Sequence, residues 1–150
     1  MRLALYEPDI PQNAGALMRL GACLGVAVDV IEPCGFQFSD KGLRRAGMDY
    51  IDLCDLTRHS SWRAFLAQRG EGRLILLSSH ATFSYLEFAF RTDDTLVLGR
   101  ESAGVPQHVH DAVDARLRIP LRPALRSLNV ASAAAMVVGE ALRQTGASPR

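Results

Sequence analysis

The sequence contains few cysteines and no long apolar stretch. Its three cysteines, Cys23, Cys34 and Cys54, lack Cys-x-x-Cys spacing, so neither a disulfide framework nor a zinc site is predicted. No apolar run approaches the ~20 residues that a membrane-spanning helix needs, and the N-terminus lacks a signal-peptide pattern. The four histidines have no carboxylate or cysteine at metal-ligand spacing. We therefore expect a cytoplasmic protein that uses neither a membrane nor a metal.

Lysine is almost absent, since Lys41 is the only one, and the formal net charge is +1. So small a charge argues against binding to nucleic acid by bulk electrostatics alone. Codon bias in the genome would explain why nearly all basic residues are arginine rather than lysine. It would not explain why these arginines lie in two clusters. The guanidinium fork suits bidentate contact with phosphate. The two clusters are Lys41/Arg44/Arg45 and Arg116/Arg118/Arg122/Arg126.

The 150 residues, 48% of them hydrophobic and 22% charged, are typical of one globular domain. Short apolar runs predict parallel strands at Leu3–Tyr6, Val26–Ile31, Leu74–Leu77, Leu96–Leu98 and Leu117–Ile119, with a weaker one at Ile51–Cys54. Helical patterns lie between them at Ala14–Leu24, Lys41–Ala46, Trp62–Gln68 after a Ser60 or Ser61 cap, and Val130–Gln144. This alternation predicts a three-layer α/β domain with a mostly parallel sheet.

Three segments place glycine or proline beside polar side chains at the end of an apolar run. They are Asn13-Ala14-Gly15 with Arg19 one turn later, Leu98 to Pro106 (LGRESAGVP), and Ile119-Pro120-Leu121 followed by Ser127-Leu128-Asn129. In open α/β proteins, ligands bind at the carboxyl ends of the strands. The segments supply a cation, a carboxylate, and a hydroxyl beside an amide. Together they predict one active site assembled from distant parts of the chain.

The glycine-rich segment matches neither of two familiar motifs. A phosphate-binding loop would continue with Lys, where this chain has Val105. A nucleophile elbow would need glycine at Arg100, and a serine hydrolase would need a histidine and an acid farther downstream. A Gly-Pro turn would account for the glycines and the proline but not for Glu101.

Structural roles are also available to the polar residues of the other segments. A lone helical arginine such as Arg19 is more often solvated than catalytic. Ser127 and Asn129 stand where the last helix begins, and both residue types are preferred caps. Because one of them is enough to cap the helix, the other is free to face a ligand.

Five stretches of the sequence together resemble one known family. The stretches Tyr6 to Gly15 (YEPDIPQNAG) with Arg19, Leu43 to Tyr50 (LRRAGMDY) and Thr57-Arg58-His59, together with the two later segments, resemble the SpoU branch of the SPOUT RNA methyltransferases. The resemblance covers essentially the whole chain. It is strongest to the small YibK-like enzymes, which methylate the ribose 2′-hydroxyl of the wobble nucleotide in certain leucine tRNAs. Arg100 and Ala103 stand where those enzymes have proline and arginine, and Ala124 and Leu125 replace more polar residues, which leaves the RNA target open.

The resemblance implies a single SPOUT methyltransferase domain over residues 1–150, without a separate RNA-binding domain, whose C-terminal part is threaded into a trefoil knot. It implies a homodimer that binds S-adenosylmethionine in the knot, methylates tRNA and releases S-adenosylhomocysteine. The family's cofactor contacts fall on Leu77, Gly99, Ile119, Ser127 and Leu128. Its catalytic positions fall on Arg19, Glu101 and Asn129, with Ser127 near the reacting atoms. The arginines that we expect to contact RNA are Arg44, Arg45, Arg122 and Arg126.

Methyl transfer requires that donor and acceptor are aligned and that a weakly acidic hydroxyl loses its proton. Because guanidinium normally stays protonated, Arg19 is either an unusual base or a clamp on phosphate and hydroxyl, and both remain open. The alternative functions are 2′-O-methylation of ribosomal RNA or of another tRNA position, and an idle nucleotide- or RNA-binding module. The joint presence of Arg19, Glu101, Ser127 and Asn129 disfavours the idle module.

Overall fold

A sheet of parallel strands organises the chain. The structure, a computed structural model, describes residues 1–38, 41 and 50–150. Within this part of the chain seven strands form one sheet in which every pair is parallel. The strands are β1 (Arg2–Tyr6), β2 (Ala27–Ile31), β3 (Leu56–His59), β4 (Leu74–Leu77), β5 (Phe83–Ser84), β6 (Thr95–Leu98) and β7 (Ala115–Arg118). Their order across the sheet is β3-β2-β1-β6-β4-β7-β5.

Helices connect the strands and follow local capping rules. Those that the structure describes are α1 (Pro11–Leu24), α2 (Trp62–Gln68), α3 (Gln107–Ala112) and α4 (Val130–Thr145), with 3-10 turns at Ile51–Leu53 and Tyr85–Glu87. Helix α1 has proline in its first turn, where the missing N–H costs nothing, and ends at Gly25 with φ +66°. The Ser61 hydroxyl caps α2 by accepting from the Ala64 N–H at 3.0 Å. Of the two caps considered for α2, Ser61 is therefore the one used.

The core lies on both faces of the sheet, as expected for three layers. Alternation along β1 shows this, because Leu3 and Leu5 pack in the cluster that contains α1 and α4. Ala4 and Tyr6 pack in the other cluster, which contains the aromatic side chains of α2. The central strands are almost completely buried. The predicted α/β domain with a parallel sheet is confirmed.

The strand order reverses direction beside β1. From β1 the chain builds outward through β2 and β3, and its second half builds β4 to β7 on the other side. Since all strands are parallel, the loops that follow β1, β4, β6 and β7 leave the same edge. The crevice at such a reversal is the usual ligand site of an open α/β sheet.

The strand predicted at Ile51–Cys54 is wrong. Ile51–Leu53 is a 3-10 turn in which Ile51 is buried while Leu53 is 72% exposed. The strand follows it at β3, where Leu56 pairs with Val28.

Helix α3 and the two-residue strand β5 were not predicted, because each is too short to show a period. The helix predicted at Lys41–Ala46 lies outside the described residues except for Lys41.

Among the described residues, no helix is both long and apolar enough to cross a membrane. The trefoil knot stays a prediction.

Candidate active site

The loops after β4, β6 and β7 surround a cavity of about 810 Å³ at the carboxyl edge of the sheet. A volume of this size is typical of a small-molecule or cofactor site. The five predicted cofactor contacts all line it, namely Leu77, Gly99, Ile119, Ser127 and Leu128. The structure therefore brings together residues that are up to 51 positions apart in the chain.

Gly99 is needed where the β6 loop turns back on itself. Arg100 and Gly104 exchange two backbone hydrogen bonds, of 3.0 and 2.8 Å, which close the loop over Gly99. A Cβ atom on Gly99 would lie 2.8 Å from the Gly104 carbonyl carbon and 2.9 Å from its Cα. Both are backbone atoms, so a side chain at this position would push the loop away.

Asn129 ties the third segment to the first. Its Oδ1 caps helix α4 by accepting from the N–H groups of Ala131 at 2.9 Å and Ser132 at 3.3 Å. The amide nitrogen therefore faces away from the helix, and it donates to Asn13 Oδ1 at 2.9 Å. Of the two caps that the sequence offered, Asn129 is the one used, and Ser127 is exposed in the cavity wall.

Glu101 joins the second segment to the first. The Asp9 N–H donates to Glu101 Oε2 at 3.2 Å. Burial and the Asp9 carboxyl group raise the pKa of Glu101 above its usual range. The hydrogen bonds from Glu101 and from the Ser102 hydroxyl lower the pKa of Asp9. Glu101, Asn13 and Asn129 all line the cavity, so each of the three segments contributes a residue to its wall.

Arg19 does not reach this cavity. It lies on an exposed face of α1, with its guanidinium carbon 4.5 Å from the centre of the Tyr50 ring. Arg19 lies six positions after Asn13, and a step of six positions turns the helix by about 240° beyond one full turn. The two side chains therefore leave α1 in different directions.

Basic side chains surround the mouth of the cavity. Arg122 and Arg126 are exposed and line it, and their contact with RNA stays a prediction. Arg44 and Arg45 lie outside the described residues. Within the described ranges, no group of three or more His, Cys, Asp or Glu side chains could hold a metal ion.

Two residues that line the cavity, Asn13 and His80, were not among the predicted site residues. Asn13 had a signal, because it belongs to the first of the three segments. His80 had none, since its position depends on loops that only the fold brings together.

Comparison with known proteins agrees with this geometry. The model of the SpoU rRNA Methylase family matches residues 1–139. A tRNA (cytidine(34)-2′-O)-methyltransferase of Beijerinckia indica is 62% identical over 147 residues, which cover 97% of this chain and 92% of that protein.

Two solved structures extend the likeness to the fold. One, from work on the 2-OH methylation of C/U34 on tRNA, is 42% identical with a TM-score of 0.89, covering 95% of this chain and 94% of the other. The other is an AdoMet-bound rRNA methyltransferase from Sinorhizobium meliloti, 25% identical with a TM-score of 0.82, covering 95% of this chain and 55% of the other. The chain belongs to the SpoU rRNA methylase family.

Proposed function

We propose that this protein transfers a methyl group from S-adenosylmethionine to the ribose 2′-hydroxyl of nucleotide 34, the wobble position, of tRNA. Leucine tRNAs are its expected substrates, and S-adenosylhomocysteine is the product. The observation that carries the proposal is that Glu101 lies in the wall of one cavity together with Asn13 and Asn129, which are hydrogen-bonded to each other. The full-length likeness to cytidine(34) 2′-O-methyltransferases supports it.

The cavity suits S-adenosylmethionine. That molecule carries no phosphate, and the site offers the backbone of strand ends and the apolar side chains of Leu77, Ile119 and Leu128. Gly99 leaves room beside the folded-back loop that a Cβ atom would fill. When bound, the cofactor supplies an activated methyl group on its sulfonium.

The side chains around it have distinct roles in this proposal. Glu101 and Asn129 fix the geometry of the wall against which the ribose lies, and Ser127 contacts the cofactor. Arg19 holds the adjacent phosphate and polarises the hydroxyl, since guanidinium keeps its proton below pH ~12. Proper alignment of donor and acceptor supplies much of the rate.

We propose that the protein acts as a homodimer. Helices α1 and α4 pack on each other, and each leaves a face of small or apolar side chains uncovered. Ala16 and Ala135 are exposed on these faces, and Met136 is 43% exposed. A second copy packed there would cover them. Because Arg19 lies on the same face of α1 and outside its own cavity, we propose that it acts in the cavity of the partner subunit.

The RNA is held by the methyltransferase domain itself in this proposal, with residues 1–150 forming one SPOUT domain. Arg122 and Arg126 contact phosphates at the cavity mouth, and Arg44 and Arg45 are expected to contact the RNA as well. The C-terminal part forms the trefoil knot around the cofactor, and the enzyme works in the cytoplasm.

Ribosomal RNA is the second candidate substrate. The likeness to the Sinorhizobium rRNA methyltransferase favours it, although this chain spans only 55% of that protein.

Calorimetry with S-adenosylmethionine followed by mass mapping of nucleosides tests the proposal. Purified tRNA and ribosomal RNA are incubated with the enzyme, and every 2′-O-methylated nucleotide is located. We expect binding to one class of site and methylation at position 34 of leucine tRNAs. Methylation of ribosomal RNA would favour the second candidate, and binding of cofactor without methylation of either RNA would refute both.

A further inference from the structure

Phe83 is the aromatic side chain that the fold leaves open to solvent. It is 48% exposed, whereas all other Phe, Tyr and Trp side chains are buried or partly buried. It lies in β5, which is last in the order across the sheet, so no described strand covers that edge. Leu86, in the turn that follows β5, is 59% exposed. The free edge of the sheet therefore presents two large apolar side chains to solvent.

The ring of Phe83 is anchored but not covered. Its centre lies 6.5 Å from that of the Phe88 ring, and the two rings are nearly perpendicular, at 83°. Phe88 packs against the core cluster that contains α1 and α4, and the Arg73 guanidinium carbon lies 4.7 Å from its ring centre. In the part of the chain that the structure describes, neither a guanidinium nor a parallel ring lies over Phe83. A perpendicular contact occupies one face of a ring at most, so Phe83 keeps a face for stacking.

Strand β5 lies beside the mouth of the cavity. It pairs with β7, with Phe83 opposite Leu117 and Ser84 opposite Arg118. Arg118 lines the cavity. His80 lines it too and precedes Phe83 by three positions, a length of chain that spans at most about 11 Å. When one nucleotide of an RNA is held in the cavity, its neighbours along the RNA therefore lie within reach of Phe83.

The charges around Phe83 favour a phosphate backbone. Arg118, Arg122 and Arg126 are exposed in the wall of the cavity. Among the described residues, the Arg118 guanidinium has no acidic or hydrogen-bonding partner. Glu87 is the one acidic residue of β5 and the turn that follows it. A free cation beside an exposed ring is the combination that binds single-stranded nucleic acid, through phosphates and stacked bases.

The size of the patch favours a nucleobase over a protein. A stable protein interface takes about 20–30 residues on each side. A base needs a single ring, and stacking tolerates any sequence because every base has a π face. Nucleotide 34 lies in the anticodon loop, whose unpaired bases are free to stack on an aromatic side chain. An RNA loop is therefore the partner that fits Phe83.

We propose that Phe83 is a stacking platform for a base that flanks nucleotide 34, while Arg118 contacts the phosphate beside that base. The proposal rests on the proposed function, which brings the anticodon loop to the cavity. In a duplex the neighbouring bases are paired and stacked on each other, so none of them is free for the ring. Phe83 thereby makes the enzyme select an unpaired loop rather than a particular sequence.

Fluorescence of Phe83→Trp tests the stacking without any methyl transfer. The probes are an RNA stem-loop with the anticodon loop of a leucine tRNA, and a control duplex in which the same stem is continuous. We expect the stem-loop to quench the added indole and the duplex to leave it unchanged, because only unpaired bases stack on it. The wild type, measured alike, reports Trp62, which is 8% exposed on α2. Absence of quenching, or equal quenching by the duplex, would overturn the proposal.

Fluorescence anisotropy with the labelled stem-loop, at several KCl concentrations, separates stacking from charge. Phe83→Ala should bind ~5-fold or more weakly, as loss of one stacked base does, and its salt dependence should be unchanged because the ring is neutral. Arg118→Ala should weaken binding and reduce the salt dependence. Phe83→Tyr, which keeps a ring, should bind within ~2-fold of wild type. If Phe83→Leu also keeps wild-type affinity, an apolar contact is enough and the proposal fails.

Leu66→Ala is the matched control, since Leu66 is 38% exposed on α2 and does not line the cavity. It should leave RNA affinity unchanged. A loss equal to that of Phe83→Ala would show a general effect of removing exposed apolar side chains and would overturn the proposal. Sedimentation velocity decides whether Phe83 contacts a second copy of the chain instead. A smaller assembly in Phe83→Ala than in the wild type would assign the patch to a protein interface and would also overturn the proposal.

Failure of the stacking and failure of the proposed function give different results. If the stem-loop quenches Phe83→Trp but the wild type methylates no nucleotide 34, the proposed function fails and the RNA surface stands. If the wild type methylates nucleotide 34 and Phe83→Ala binds the stem-loop as tightly as the wild type, the stacking proposal alone fails.

Discussion

Replacing Gly99 by alanine should separate cofactor binding from the rest of the fold. The added Cβ atom would lie 2.8 Å from the Gly104 carbonyl carbon, about 0.6 Å inside the 3.4 Å at which ordinary contact begins. Gly104 is held by its two hydrogen bonds with Arg100, so the loop moves as a unit. Overpacking of this kind costs about 1–3 kcal/mol. If the loop conformation that binds the cofactor is destabilised by about 1.4 kcal/mol, the cofactor binds tenfold more weakly.

Calorimetric titration with S-adenosylmethionine measures the effect, and we expect Gly99→Ala to bind at least ~10-fold more weakly than wild type. Gly70→Ala is the matched control, because a Cβ atom there meets nothing within 4 Å. Thermal unfolding of both variants reports any global loss of stability. Wild-type affinity in Gly99→Ala would show that the cofactor does not use this turn, and the proposed placement would be wrong.

Three further outcomes are expected. Arg19→Ala should slow single-turnover methylation of saturating tRNA by ~100-fold or more with cofactor affinity unchanged, and Arg19→Lys should rescue poorly because ammonium lacks the guanidinium fork. Near-normal turnover by Arg19→Ala would show that Arg19 is a solvated helix residue without a role in methyl transfer. Replacing Arg122 and Arg126 by alanine should weaken tRNA binding and reduce the dependence of its affinity on salt, which fluorescence anisotropy measures at several KCl concentrations. An unchanged salt dependence would show that these arginines do not contact the RNA. Burial raises the pKa of Cys34 and of Cys54 to about 11, so little thiolate exists at pH 8. Iodoacetamide should alkylate both on the order of 100-fold more slowly than in urea, with rates rising toward pH 11; equal rates would contradict this.

The central strands were predictable because each is a short, almost continuous apolar run. Residues Leu74–Leu77 have no solvent-facing side to interrupt the pattern, so burial on both faces is visible in the sequence itself. Strand β3 (LTRH) was missed, since at the sheet edge it carries polar residues and only His59 is buried. The apolar residues of Ile51–Cys54, which precede β3, led to the strand being predicted too early in the chain.

The candidate site was predictable as a set of segments but not as a set of contacts. Glycines and polar residues at strand ends marked where Glu101 and Asn129 would lie. The direction in which a helical side chain points depends on helix packing, so the sequence could not show that Arg19 leaves α1 away from the cavity. The hydrogen bond from the Asp9 N–H to Glu101 spans 92 residues and leaves no local signature.

The hydrogen bond between Asn13 and Asn129 joins residues 116 positions apart, which has a consequence for the newly made chain. Leu17 and Met18 of α1 are buried in the same cluster as Val137 and Val138 of α4. During synthesis, this face of α1 stays without its packing partner α4 until the last helix has left the ribosome. Contacts of such long range fold slowly. The core between α1 and α4 and the active site are therefore completed late and at the same time. A chain truncated before its last helix is expected to be inactive and prone to aggregation.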